Sequence, residues 1–62
     1  MTQFFVWLTD GTLLTVPADR CRHDRRVMTF ERRSSSACAT RWREVSVLLW
    51  EDVQRVERFE NP

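Results

Sequence analysis

The sequence predicts a mainly β fold: a small antiparallel sheet of five strands with one helical turn before the last, formed by residues 1–62 as a single domain. Two observations carry this reading. Asp10-Gly11 stands between two apolar runs, which is a strong short-range hairpin signal. Alternating apolar and polar residues then return at 26–32 and again from Arg41, on either side of a serine-rich break.

The first element is a hairpin over Gln3–Pro17, QFFVWLTDGTLLTVP. A two-residue type I′ turn at Asp10-Gly11 needs positive φ at both positions, and it sets the register Thr9 with Thr12, Leu8 with Leu13, Trp7 with Leu14, Val6 with Thr15 and Phe5 with Val16. In that register Phe4, Val6, Leu8 and Leu13 share one face, and Phe5, Trp7, Leu14 and Val16 share the other. Both faces are apolar, so both need cover.

Pro17 cannot donate to a ladder and should end the second strand. Ala18–Arg26 is densely charged, lacks glycine and reads as a break. A third strand follows at Arg26–Arg32 with Met28 and Phe30 inward. Ser34–Thr40 has nothing large to bury and reads as a surface loop. From Arg41 the run RWREVSVLLW reads as a fourth strand, with Val45, Val47 and Leu49 inward and Trp42, Leu48 and Trp50 on the opposite side. Leu49, Val53 and Val56 then fall at helical spacing, which supports an α+β alternative of a four-stranded sheet with a C-terminal helix. Sheet edges need cover, however, and this favours one helical turn at Trp50–Val53 and a short fifth strand through Phe59 that pairs back toward the first.

The Asp10-Gly11 hairpin and the run VSVLLWEDVQRVE, Val45–Glu57, together resemble small β-barrels of the SH3-like type, whose last two strands are joined by a single helical turn. The similarity is one of architecture over most of the chain. It implies closure of the sheet into a barrel, in a fold that serves both peptide and nucleic-acid binding. The chain has no tyrosine, so the resemblance does not extend to the acidic and tyrosine pattern of proline-peptide readers.

At 62 residues the chain is near the lower limit for independent folding, where only about 60% of the unfolded surface is buried, and a partner would add stability. No apolar run approaches the ~20 residues needed to span a bilayer, and the N-terminus has no basic start followed by an apolar stretch. With only Cys21 and Cys38, a disulfide framework is not expected, and the expected compartment is the cytoplasm. The formal charge is +1, but it is unevenly spread: residues 1–19 carry −2, residues 20–43 carry +6 and residues 44–62 carry −3. Every basic residue is arginine, the side chain suited to bidentate contact with anions.

Cys21, His23 and Cys38 are the only soft ligands, short of the four that a structural zinc site wants, so no metal or cofactor is expected. Nothing assembles a nucleophile with a base and an orienting group, and no phosphate-binding loop is present, so neither catalysis nor a small-molecule substrate is expected. The aromatic residues and the arginines are the candidate partner-binding groups: Phe5, Trp7, Trp42, Arg25, Arg26, Arg32, Arg41 and Arg43. Trp and Arg together are typical of protein interfaces. The expected function is therefore a non-enzymatic protein-binding or self-assembling module, a homodimer or higher assembly, with Trp and Phe anchors and an arginine rim. The alternative is nucleic-acid binding, with the central arginines on phosphates and Trp42 stacked on a base.

Overall fold

The computed structural model describes residues 2–35 and 39–60. It is mainly β: β1 (Thr2–Leu8), β2 (Leu13–Val16), β3 (Arg20–Asp24), β4 (Val27–Ser35), β5 (Thr40–Leu49), a 3-10 turn at Trp50–Asp52 and β6 (Val53–Glu60). The strands form two antiparallel sheets, ordered β2-β1-β6 and β3-β4-β5. β6 pairs with β1 from Thr2↔Glu60 to Leu8↔Val53, so the C-terminal stretch is a strand and not a helix. The backbone N–H of Thr9 donates to Asp52 O at 3.0 Å and that of Trp50 to Arg26 O at 2.7 Å, which anchors the 3-10 turn to both neighbouring hairpin turns.

The first hairpin forms where expected, but its turn is one residue longer. β1 and β2 pair as Phe4↔Val16, Phe5↔Thr15, Val6↔Leu14 and Trp7↔Leu13. The N–H of Gly11 donates to Leu8 O and the N–H of Leu8 to Thr12 O, which leaves Thr9-Asp10-Gly11 as a three-residue connection. Gly11 has φ +92° while Asp10 stays at negative φ, as in a type I turn followed by a glycine bulge. Asp10 Oδ1 accepts the Thr12 N–H at 2.9 Å, and this local bond competes with the tighter I′ arrangement. The one-residue shift moves Leu14 and Val16 to the face of Phe4, Val6 and Leu8, and moves Leu13 to the face of Phe5 and Trp7.

That shift decides the core. Phe4, Val6, Val16, Ala18, Met28 and Phe30 are buried, and Leu8, Leu14, Cys21, Leu48, Val53 and Val56 pack around them half-buried. Phe4 and Phe30 meet edge to face at 5.4 Å and join the two sheets. Val6 and Phe30 are fully buried, each contributing about 1.5–3 kcal/mol by removal from water.

There are six strands and not five, because the charged stretch read as a break contains β3. Its register puts Cys21 opposite Phe30 and His23 opposite Met28, while Arg20, Arg22 and Asp24 point to the other side of the sheet. A strand with one polar face carries its charges there, and Asp24↔Val27 closes onto β4 through only two residues, Arg25 and Arg26. Arg25 takes φ +53°, the positive-φ position that the turn needs and that glycine more commonly fills.

Met28 and Phe30 point inward as expected, but the faces of β5 are reversed. Met28 pairs with Leu48, and Leu48 reaches the core, while Val45, Val47 and Leu49 are exposed. A bulge opposite Phe30 and Glu31 leaves Val45 without a cross-strand partner, so alternation read from Arg41 loses its phase there. Ser34 and Ser35 belong to β4 and Thr40 to β5, which leaves less loop than expected; Ser36, Ala37 and Cys38 lie outside the described residues.

Candidate interaction surfaces

Two surfaces outside the core carry the candidate residues. The first is the outer face of the β2-β1-β6 sheet. Gln3↔Phe59, Phe5↔Glu57 and Trp7↔Arg55 across β1 and β6, with Trp7↔Leu13 across β1 and β2, place these side chains on one side. Phe5 lies 6.3 Å from Trp7 and 5.9 Å from Phe59, centroid to centroid, so three aromatic rings run across the sheet. Phe5 and Trp7 are half-buried against their neighbours, while Phe59 is 46% and Leu13 50% exposed. The Arg55 guanidinium sits 5.2 Å from the Trp7 ring centroid and also pairs with Glu57, so among the described residues the charges set on this strip neutralise each other.

The second surface is the far end of β4 and β5. β3 stops pairing at Arg20↔Glu31, and beyond it Arg32↔Arg43, Arg33↔Trp42, Ser34↔Arg41 and Ser35↔Thr40 continue as a two-stranded ribbon. At its base Glu31 is buried and accepts from Arg20 Nε at 2.8 Å, with Arg22 Nε at 3.1 Å. Arg20 also lies over Trp42, its guanidinium carbon 3.7 Å from the ring centroid. The Asp19 carboxylate accepts the Arg33 backbone N–H at 2.7 Å, which fixes where the ribbon leaves the sheet.

The predicted partner-binding residues therefore do not form one patch. Phe5 and Trp7 belong to the aromatic strip. Arg32, Arg41 and Arg43 share one face of the ribbon, and Trp42 lies on its other face with Arg33. Arg25 and Arg26 sit at the opposite end of β4, about 20 Å from Arg32 at the usual rise along a strand. Phe59, Leu13 and Arg55 in the strip, and Arg33 and Ser34 in the ribbon, were not among the sequence candidates. Phe59 and Arg55 join the strip only through the β6–β1 register, which no local signal carries, whereas Arg33 is adjacent to Arg32 and visible by composition.

Cys21 is a free thiol packed against the core, and burial pushes its pKa up, which favours the unreactive neutral form. His23 stacks on Trp50 at 4.1 Å between ring centroids. Both side chains of the Cys21-x-His23 pair are thus engaged in packing. Among the described residues no helix is long and apolar enough to cross a membrane. Comparison of the chain with protein-family models, with curated proteins and with solved structures returned no significant match.

Proposed function

We propose that this chain is a non-enzymatic protein-binding module that assembles with a second copy of itself through the outer face of the β2-β1-β6 sheet. The observation that carries the reading is the Phe59–Phe5–Trp7 run, continuous across β6 and β1 and left half open to water together with Leu13. Exposed apolar surface of this kind costs free energy unless a partner covers it. The strip is also electrically suited to its own copy: Arg55 and Glu57 give it one charge of each sign, and a two-fold arrangement sets each opposite its complement. The chain's accessible surface of 4923 Å² exceeds the about 4,250 Å² expected for a compact monomer of this mass, which favours an assembly that removes some of it.

The strand order, with a 3-10 turn leading into a last strand that returns to the first, supports reading the two sheets as an SH3-like barrel. The free thiol of Cys21 favours the cytoplasm as the working compartment.

The test is mass in solution by sedimentation across a wide concentration range. Self-assembly predicts a mass that doubles with concentration in the parent and stays monomeric in Phe59→Ser, a change at a half-exposed edge position that leaves the core intact. A parent mass fixed at the monomer value at every concentration rejects the reading.

A further inference from the structure

The ten arginines divide into two sets. Arg20 and Arg22 pair with Glu31, Arg55 with Glu57 and Arg58 with Glu60. Arg25, Arg26, Arg32, Arg33, Arg41 and Arg43 make no ion pair among the described residues, and all six belong to the β3-β4-β5 half. Four of them lie on the ribbon, where every charged side chain from residue 32 to residue 43 is an arginine. Arg32 stands directly opposite Arg43, a like-charge cross-strand pair that opposes strand pairing. A surface cleft is lined by Arg32, Arg33, Ser34 and Arg43. No ion pair among the described residues relieves this repulsion, which leaves the ribbon ready for an external anion.

We infer that the β4–β5 ribbon is a nucleic-acid-binding arm that enters the major groove of duplex DNA. The placement of charge on both sides of the ribbon selects this partner. Arg32, Arg41 and Arg43 project from one face and Arg33 from the other. A bilayer surface or a single strand meets one face at a time, whereas a groove has a phosphate backbone along each wall. The B-form major groove is about 12 Å wide and admits a two-stranded β-ribbon. Four residues per strand span about 13 Å, enough to reach the floor of a groove about 8.5 Å deep. The A-form major groove of duplex RNA is too narrow to take such an arm. Arginine suits the site because its planar fork binds phosphate, or the guanine edge, through two hydrogen bonds. This surface is separate from the aromatic strip, so neither inference depends on the other.

The test is fluorescence anisotropy of a short labelled DNA duplex at ~50 mM salt, with the matching RNA duplex, the DNA single strand and phosphatidylserine vesicles as alternatives. Saturable binding is expected, tightest for the DNA duplex, with log affinity falling against log salt at a slope near −3.6, about −0.9 for each of four contacts. Two charge-matched double variants localise it. R32Q/R43Q should weaken binding by about tenfold or more and make the slope shallower by about 1.8, while R25Q/R26Q, which removes the same charge from the other end of the sheet, should leave both unchanged. R33Q/R41Q provides a second removal from the ribbon, and thermal melts confirm that each variant is folded. Equal losses in the ribbon and turn variants, binding to the single strand, RNA duplex or vesicles as tight as to the DNA duplex, or no saturation at low salt would each overturn the inference.

Discussion

Arg20 of β3 and Trp42 of β5 are stacked, guanidinium carbon 3.7 Å from ring centroid, across the intervening β4, which carries Glu31. Glu31 orients the stack, because its carboxylate fixes the same guanidinium at 2.8 Å. Removing that charge leaves Arg20 and Arg22 repelling each other across a buried amide. The arginine side chains are 38% and 63% exposed, so water absorbs much of the loss, and Glu31→Gln is expected to cost about 1–2 kcal/mol and not the larger penalty of a fully buried pair. Urea unfolding measures it, and a variant as stable as the parent would show that the ion pair contributes nothing net.

Gly11 and Arg25 should respond to substitution with opposite signs. Gly11 sits at φ +92° with nothing within 4 Å of a would-be Cβ, so the cost of Gly11→Ala is one of backbone conformation alone, about 1 kcal/mol. Arg25 at φ +53° already bears such a cost, and Arg25→Gly is expected to be neutral or to stabilise by up to about 1 kcal/mol. Paired thermal melts check both. A destabilised Arg25→Gly would mean that the Arg25 side chain has a structural role.

These two turns also mark what the sequence could convey. Asp10-Gly11 announced a hairpin, and alternation around Met28 and Phe30 announced an inward-facing strand, because both signals are local. The edge-closing strand over Val53–Glu60 followed from the cost of an uncovered edge, although its periodicity was helical. β3 was hidden because it carries no large apolar side chain and its turn uses Arg25 where glycine would have been conspicuous. The phase of β5 was lost at the Val45 bulge, and the hairpin register at one Asp10–Thr12 hydrogen bond; a one-residue slip in either reverses which side chains meet the core. The candidate surfaces suffered in proportion: composition found the aromatic and arginine residues, but only register could separate them into a strip and a ribbon.

The reversed faces of β5 give a direct contrast between neighbours. Leu48 packs half-buried against the core, so Leu48→Ala is expected to cost about 2 kcal/mol, toward the lower end for a leucine truncation. Leu49 is 50% exposed, and Leu49→Ala should fall within about 0.5 kcal/mol of the parent. Denaturant midpoints of the two variants decide it. The opposite ranking would restore the inward placement of Val45, Val47 and Leu49.

Stability should decline at both ends of the pH scale for identifiable reasons. The Thr12 side chain first, and its backbone N–H second, hold the Asp10 carboxyl below its ordinary value. A depressed folded-state pKa gives stabilisation that is present above the unfolded value of about 3.9 and is lost as pH falls through the folded value. Burial raises the Cys21 thiol above its ordinary 9.0, giving stabilisation that is complete below that value and lost as pH rises from it toward the folded value. Denaturation across pH should therefore show Asp10→Asn differing from the parent less at low pH than at neutrality, and Cys21→Ser differing less above pH 9. Parallel profiles of parent and variant would remove the assigned groups as the cause.

The two proposed surfaces should respond oppositely to salt. Contacts between the ribbon and phosphates are electrostatic and weaken steeply as counterions compete, with loss of several powers of ten expected for many contacts and proportionately less for four. The aromatic strip carries one mutually paired arginine and glutamate, so its association is governed by apolar burial, which salt leaves intact and which excluded anions such as sulfate strengthen. Raising sodium sulfate should therefore release DNA while shifting the sedimenting mass toward the assembled form. Trp7 gives an independent reading of the second effect: it lies within the strip, 6.3 Å from Phe5, and covering Phe59 and Leu13 with a second copy takes its surroundings further out of water. Because the chain has three tryptophans, the measurement compares the parent with Trp7→Phe, and the difference spectrum should move to the blue as concentration rises. Dissociation of the assembly by sulfate would place the contact on the charged ribbon instead, and head-to-tail packing of Arg32 and Arg43 against the acidic Glu51-Asp52 turn would then replace the aromatic face as the explanation.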